Sequence, residues 1–341
     1  MKLRRGQLMA FVFGAVASLT IAASGFAQSD PLPSWNAGAA RQAILNFVRA
    51  TTDPSNPSFI PPERRIATFD QDGTTWVEHP MYTQVVFAFD RVVALAPQHP
   101  EWKTTQPFQT VLSGDKAAMA QLTMKDLETI VFATHTGMSV EQFRRIITDW
   151  ITAARDPRWK KPFTELVYQP MLEVMRYLRA NGYTVYMVTG GGQEFVRAYA
   201  AKVYGIKPQQ VIGSALEVDY TYDDAGHQVL MKSPTLLLNN NFSGKPEDIY
   251  LFTGRHSNAA FGNSTGDREM LEYTQASGAD ALMMLVLHDD AQREYDYGPA
   301  QGLPDTSVGA FTQGLYDEAI SRHWTVISMK KDWKRIFGFE N

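Results

Sequence analysis

The chain has 341 residues, 44% of them hydrophobic, with 32 Lys and Arg against 36 Asp and Glu and a formal net charge of −4. It contains no cysteine, which excludes disulfides and thiolate metal sites and leaves any nucleophile to be an oxygen or nitrogen group. The acidic balance makes nucleic acid a poor partner.

The first residues read as a targeting segment. Lys2, Arg4 and Arg5 form a basic start, Leu8 to Ala23 carries no charge, and Gly25-Phe26-Ala27 offers small residues where a signal peptidase reads. Residues 1–27 are therefore expected to be a signal peptide, cleaved after Ala27, and the protein to be exported to the periplasm. The apolar run falls short of the roughly 20 residues of a spanning helix, so no stable membrane anchor is expected after cleavage. Loss of this leader moves the formal net charge from −4 to −7.

The mature chain begins with a Pro-rich lead-in that surrounds one helical pattern, Ala40, Ile44, Leu45, Phe47 and Val48. Ile66, Ala67 and Phe69 then predict a short buried strand that ends at Asp70-Gln71-Asp72-Gly73-Thr74-Thr75. Residues i and i+2 of an extended segment point to the same side, so Asp70 and Asp72 are placed to share one site. Gly73 lets the chain turn after them. A strand followed by a solvated Asp-Gly turn is the plain alternative.

Residues 80–162 change character. Val85, Val86, Phe89, Val92, Val93 and Leu95 recur at helical spacing, as do Met119, Leu122, Met124, Leu127, Ile130 and Val131. Ser139 with Gln142 has the form of a capping box and opens a helix through Phe143, Ile146, Ile147, Trp150 and Ile151. No strand is expected in this block, which reads as an all-helical insertion burying apolar stripes on each other. Trp102, Trp150 and Trp159 are expected in its core.

After Pro170 an alternating rhythm sets in. A helix from Met171 to Leu178 stops at Asn181-Gly182. A strand from Tyr183 to Thr189 runs into Gly190-Gly191-Gly192, and a helix follows from Glu194 to Tyr204. Gln210 to Ser214 is a strand, and Leu216 to Met231 is a hairpin turning at Asp223-Asp224-Ala225-Gly226. Lys245-Pro246-Glu247-Asp248 opens a short helix. A strand end is also expected at Ala259–Asn263, and strands at Ala281–Leu287 and Trp324–Ser328. The rhythm predicts an α/β fold, a mostly parallel sheet with helices on both faces plus the inserted helical block. The domain reading is 28–79 and 163–341 as the core, with 80–162 inserted.

Polar groups of complementary kinds now stand at several strand ends, where open α/β sheets bind their ligands. Asp70-Gln71-Asp72-Gly73-Thr74, Val188-Thr189-Gly190-Gly191, Lys245, and Gly262-Asn263 with Asp267 occur in order. On these motifs the chain resembles the haloacid-dehalogenase-like (HAD) superfamily, in its phosphoserine-phosphatase-like branch with a helical cap and a Rossmann-like core. The resemblance implies an Mg²⁺-dependent phosphatase that acts on a small phosphorylated substrate through an aspartyl-phosphate. It implies Asp70 as nucleophile and Asp72 as proton donor and acceptor. Thr189, Gly190 and Lys245 would hold the phosphoryl oxygens, and Asp70, Asp72, Asn263 and Asp267 the metal. Asn263 departs from the family's acid at that position. It brings no charge, so metal affinity should fall, or Asp267 should take more of the role. A phosphate-ester-binding protein with weak or no turnover, or a phosphotransferase on the same scaffold, are the alternatives; Asp72 argues against the second.

Other residues carry two readings. Glu78 and His79 follow the first motif, either as substrate contacts or as plain loop residues. His288-Asp289-Asp290 at a strand end reads as a solvated loop sooner than as a metal cluster or a group that supports the site residues from behind. Lys330 to Arg335 reads as a solvated amphipathic end.

Overall fold

The computed structural model describes residues 30–278 and 280–340. The expected signal peptide lies outside the described residues. Among the described residues no helix is long and apolar enough to cross a membrane.

The chain enters through α1 (Ala39–Thr52) and β1 (Ile66–Phe69). A run of helices follows: α2 (Thr83–Leu95), α3 (Phe108–Ser113), α4 (Lys116–Met119), α5 (Met124–His135) and α6 (Val140–Ala153). Next come α7 (Gln169–Ala180), β2 (Thr184–Gly192), α8 (Gln193–Arg197), α9 (Ala200–Tyr204), β3 (Val211–Tyr222) and β4 (Gln228–Leu238). The remainder is α10 (Gly244–Thr253), β5 (Ala259–Gly262), α11 (Arg268–Gln275), β6 (Leu282–Leu287), α12 (Gln313–Ser321), β7 (Thr325–Ser328) and α13 (Met329–Asp332).

The seven strands form one sheet in the order β4-β3-β2-β1-β5-β6-β7. Every pairing is parallel except β3 with β4, the hairpin. The chain winds outward from β1 in one direction through β2 and β3, then returns to β5 on its other side. The switch point therefore falls between β1 and β5, where the carboxyl ends of the strands leave a crevice.

The strands are apolar because both faces are covered, and their residues alternate between two cores. Ala259 and Phe261 of β5, with Met284 and Val286 of β6, face a core that holds residues of α1, α7, α8 and α9. Ala260, Met283 and Leu285 face the other, with Ile249 of α10, Met270 of α11 and Leu315 of α12. Phe69 and Phe261 stack across the β1–β5 pairing with ring centroids 4.3 Å apart.

The helical insert differs from the expected self-contained packing. A separate cluster of Phe89, Val92, Trp102, Phe108, Val111 and Ile130 does form within it. Phe87, Phe143, Ile147 and Ile151, however, belong to the main core. The hairpin also reaches the insert, as Lys232 exchanges backbone hydrogen bonds with Gly137 and Met138 at 3.1 and 2.9 Å. Two further differences are local. The strand expected to stop at Thr189 continues through the glycines, and the single helix expected to Tyr204 is two short ones. The expected solvated end at Lys330–Arg335 places Trp333 in the core at 1% exposure.

Candidate active site

Three central strands deliver the site. β1 runs directly into Asp70, whose N–H still donates to Phe261 O at 2.9 Å, so the side chain leaves from a fixed ladder position. Asp70 is buried, as are Lys245 near the start of α10 and Asp267 in the loop after β5. Lys245 Nζ donates to Asp70 Oδ1 at 2.7 Å and to Asp267 Oδ1 at 2.6 Å. One cation thus ties the first motif to the fourth.

The loop after Asp70 is a tight turn. Gln71 O accepts the N–H groups of Thr74, Thr75 and Trp76, while Gly73 N donates back to Trp76 O at 2.9 Å. Gly73 has φ +71°, and a side chain there would collide with Asn263 and Glu78. Asp72 is half-buried, and its Oδ1 accepts from the Trp76 indole N–H at 2.7 Å.

β2 supplies the opposite wall. The point where a side chain on Gly191 would begin lies 3.1 Å from Gln84 Oε1, 3.2 Å from Thr189 Oγ1 and 3.9 Å from Asp72 Oδ2. The backbone at Gly191 therefore passes close against Gln84 of α2 and Thr189, with Asp72 just beyond, and a side chain there would be crowded. Thr189 Oγ1 accepts the Gly191 N–H at 3.0 Å, and Gln84 Oε1 accepts that of Gly192 at 2.7 Å. Asn240 fixes the strand end by donating to Thr189 O at 2.8 Å. Gly190 lies against Asn241, with no room for a side chain between them.

Asn263 is buried behind the turn. Its Oδ1 accepts from Thr74 Oγ1 at 3.1 Å, and its Nδ2 donates to Glu78 Oε1 at 2.7 Å. Glu78, at 2% exposure, also accepts from Tyr297 OH at 2.8 Å. His288 is buried too, correcting its reading as a solvated loop residue: Nε2 faces Gly73 O at 2.7 Å and Nδ1 faces Glu294 Oε2 at 3.1 Å. It thereby pins the carbonyl at the centre of the turn. Asp289 and Asp290 go elsewhere. Asp289 accepts from Ser328 Oγ and Lys330 N–H, and Asp290 pairs with Arg293 at 2.6 Å. His79 stacks on Tyr297 at 3.7 Å and faces Val308 O at 3.1 Å, packed into the loop wall.

The electrostatics follow from burial. Burial and the Asp267 charge push the Asp70 carboxyl up to about 7, against the pull of Lys245. Burial raises Asp72 to about 6, opposed by the Trp76 hydrogen bond. Burial and then the Asp72 charge hold Glu78 well above the usual carboxylate range. For Lys245 the charges of Asp267 and Asp70 outweigh burial and raise it. A cation bound beside these acids acts in the opposite sense on all of them.

Among the described residues no three His, Cys, Asp or Glu side chains converge as a ready-made metal cage. The oxygen donors present are of mixed kind. Asp70 Oδ2 and the Asp72 carbonyl take no hydrogen bond among the described residues, and Asn263 Oδ1 keeps a second lone pair beside its bond to Thr74. Asp267 has both oxygens engaged, one by Lys245 and the other by the N–H groups of Asn263 and Ser264 at 3.0 Å. These hard donors fit Mg²⁺, which takes oxygen ligands and keeps several waters. Asp267 acts in this arrangement as a clamp on Lys245 and the loop.

Gln84, Glu78 and His288 are the contacts that motif reading does not place. Position alone offers a signal for two of them. Glu78 lies six residues past Asp72, and His288 ends an apolar strand just as Asp70 does.

The family model described as haloacid dehalogenase-like hydrolase matches residues 67–272, from inside β1 into α11. No curated protein sequence matches the chain. Among solved structures it is similar to a conserved, functionally unknown protein from Anaerococcus prevotii, with 15% identity and a TM-score of 0.48 over 74% of this chain and 86% of that one. It is also similar to a protein with unknown function from Bordetella pertussis, with 16% identity and a TM-score of 0.46 over 77% and 98%. A phosphoserine phosphohydrolase-like protein from Francisella tularensis shows 12% identity and a TM-score of 0.36 over 66% and 88%. These likenesses are distant and say nothing of the chemistry at the site.

Proposed function

The chain belongs to the haloacid dehalogenase-like hydrolase family, and from that premise we propose that it is a phosphatase, hydrolysing phosphate monoesters through an aspartyl-phosphate on Asp70. The observation that carries this reading is the Asp70–Lys245–Asp267 bridge, with Asp72 and Thr189 brought together beside Gly191.

Phosphoryl transfer needs an in-line nucleophile, charge neutralisation and a proton for the leaving oxygen. Lys245 spends two of its three N–H donors on Asp70 and Asp267, leaving the third for a phosphoryl oxygen. Thr189 and the Gly190 N–H complete the cradle. Asp70 attacks phosphorus, the ester O–P bond breaks, and the departing oxygen takes the proton of Asp72. Asp72, now a carboxylate, draws a proton from water as that water's oxygen attacks the aspartyl-phosphate. Inorganic phosphate leaves and Asp70 is restored. Asp70, the Asp72 carbonyl and Asn263 would hold Mg²⁺, which would supply charge neutralisation at the phosphoryl oxygens. Export to the periplasm is part of the proposal and rests on the leader pattern; amino-terminal sequencing of the protein from a periplasmic extract tests it.

Asp70→Asn is expected to lower turnover of an aryl phosphate about a thousandfold or more while leaving the fold intact, read by circular dichroism. Undiminished turnover in that variant would end the reading. Tight binding of phosphate analogues with no turnover across a phosphoester panel would favour a binding protein, the alternative that Asn263 raises.

A further inference from the structure

We propose that His135, which ends α5 of the insert and lies outside the four motifs, is a positioning residue for the phosphate cradle: it orients the side-chain amide of Gln84, which in turn holds the glycine stretch after Thr189. What the cradle does rests on the phosphatase reading; how it is held rests on the hydrogen bonds alone.

The glycines need such a hold. Thr189 pairs with Gly213 of β3 and Gly192 with the next residue, Ser214, so two residues of β2 face none in its neighbour. Gly190 and Gly191 thus form a bulge that the ladder does not fix. Side chains fix it instead. The Gly191 N–H goes to Thr189 Oγ1 at 3.0 Å, and the Gly192 N–H to Gln84 Oε1 at 2.7 Å. The Gly190 N–H, which the phosphatase reading gives to a phosphoryl oxygen, belongs to the same bulge.

An amide has two unlike ends, and only the oxygen of Gln84 can take the Gly192 N–H. Its nitrogen then faces His135 Nε2 at 3.5 Å. The other side of the ring decides what Nε2 is. Nδ1 lies 2.7 Å from Thr134 Oγ1, and the Thr134 hydroxyl spends its one proton on Ile130 O at 2.7 Å. Thr134 can therefore only accept from the ring, which puts the ring proton on Nδ1 and leaves Nε2 an acceptor. Burial, and then the charges of Lys232 and Arg91, push the ring down to about 3, so it carries this one proton. At 3.5 Å the contact with Gln84 is long, and its effect is to sort the ends of the amide. A donor at Nε2 would turn the Gln84 nitrogen toward Gly192, where it meets another N–H.

Nuclear magnetic resonance of the wild-type protein with isotope-labelled histidine is expected to show His135 protonated at Nδ1 and bare at Nε2. A proton on Nε2 overturns the proposal whether or not any variant folds. His135→Phe keeps a ring but offers Gln84 no acceptor, whereas His135→Gln keeps an acceptor without the ring. Deuterium exchange of the Gly192 amide should quicken about tenfold in H135F and stay within about threefold of the wild type in H135Q. The amide of Val188, inside the ladder, should not move in H135F. For nitrophenyl phosphate, kcat/KM should fall about tenfold in H135F and less than about threefold in H135Q, although H135Q melts lower for want of the ring. A role in packing alone predicts the reverse order. Wild-type exchange at Gly192 in H135F, or exchange in H135Q as fast as in H135F, overturns the proposal. A wild type that turns over no phosphoester, with Gly192 released in H135F and held in H135Q, ends the phosphatase reading and supports the role of His135.

Discussion

A carboxyl group that protonates a leaving oxygen works best with a pKa near the working pH. Asp72 reaches that range through burial, which lifts it to about 6 from its ordinary 3.8. The folded-state value lies above the unfolded one. Its stabilising contribution is therefore complete below about pH 4 and is lost as pH rises through 6. Asp72→Asn removes this loss. In chelator the variant should match the wild type near pH 4 and exceed it at pH 7.5 by at most about 3 kcal/mol, less where solvent screens the half-buried carboxyl. Urea melts at the two pH values measure it, and a difference independent of pH would show that Asp72 does not titrate in this window. Activity should move the other way, and more for alkyl phosphates than for nitrophenyl phosphate, whose leaving group departs without a proton. Asp70, Asp72, Thr189, Lys245, Asn263 and Asp267 are legible in the sequence because each stands at a strand end or helix start. Glu78 and His288 are legible by position only, and their roles are not, since their environments are set by partners 185 and 215 residues away. Burial of an acid is a tertiary fact that no local pattern announces.

At the scale of elements, the strands read well because each is short, apolar and bounded. The insert reads less well because α2 has two apolar faces. Its Phe89 and Val92 face the insert's own cluster, while Phe87 faces the main core. Apolar spacing on one helix shows that both faces are buried, but not against what. Phe87 is fully buried among the rings of His135, Phe143, Trp150 and Phe195, with centroids 5.3, 6.1, 5.1 and 5.4 Å away. Phe195 belongs to α8, so this cluster fastens the insert to the element after β2. Gln84, one helical turn before Phe87, is the residue that meets Gly192. Phe87→Ala is expected to cost about 3–5 kcal/mol in urea melts. It should also raise KM for a phosphoester more than it lowers kcat, because Gln84 loses its footing. A cost below about 1 kcal/mol would mean that the insert docks through other contacts.

At the scale of the whole molecule, the two ends of the described chain meet beneath the site. Ser34 O accepts the Lys334 N–H at 2.8 Å, and the rings of Trp35 and Trp333 sit edge to face at 6.1 Å. Trp333 abuts Tyr168, whose ring lies 5.3 Å from it and 6.0 Å from that of Phe337. From Tyr168 the connection runs straight to the first motif. Its N–H donates to Thr75 O at 2.9 Å, and Leu166 O accepts from Val77 N–H at 3.1 Å. Its hydroxyl donates to Glu294 Oε1 at 3.2 Å, the carboxylate that orients His288 against Gly73. The carboxyl-terminal segment thus forms the floor on which the Asp70–Gly73 turn rests. Phe337→Ala empties a fully buried ring site, at an expected cost of about 3–5 kcal/mol. If the floor is one structure, the loss will not stay at the terminus. Backbone amides of Thr75, Val77 and Tyr168 should exchange with deuterium faster in the variant, by a factor that matches the fall in global stability. Wild-type protection at those amides, with a melt that splits into two transitions, would show that the terminal segment opens alone and leaves the turn untouched.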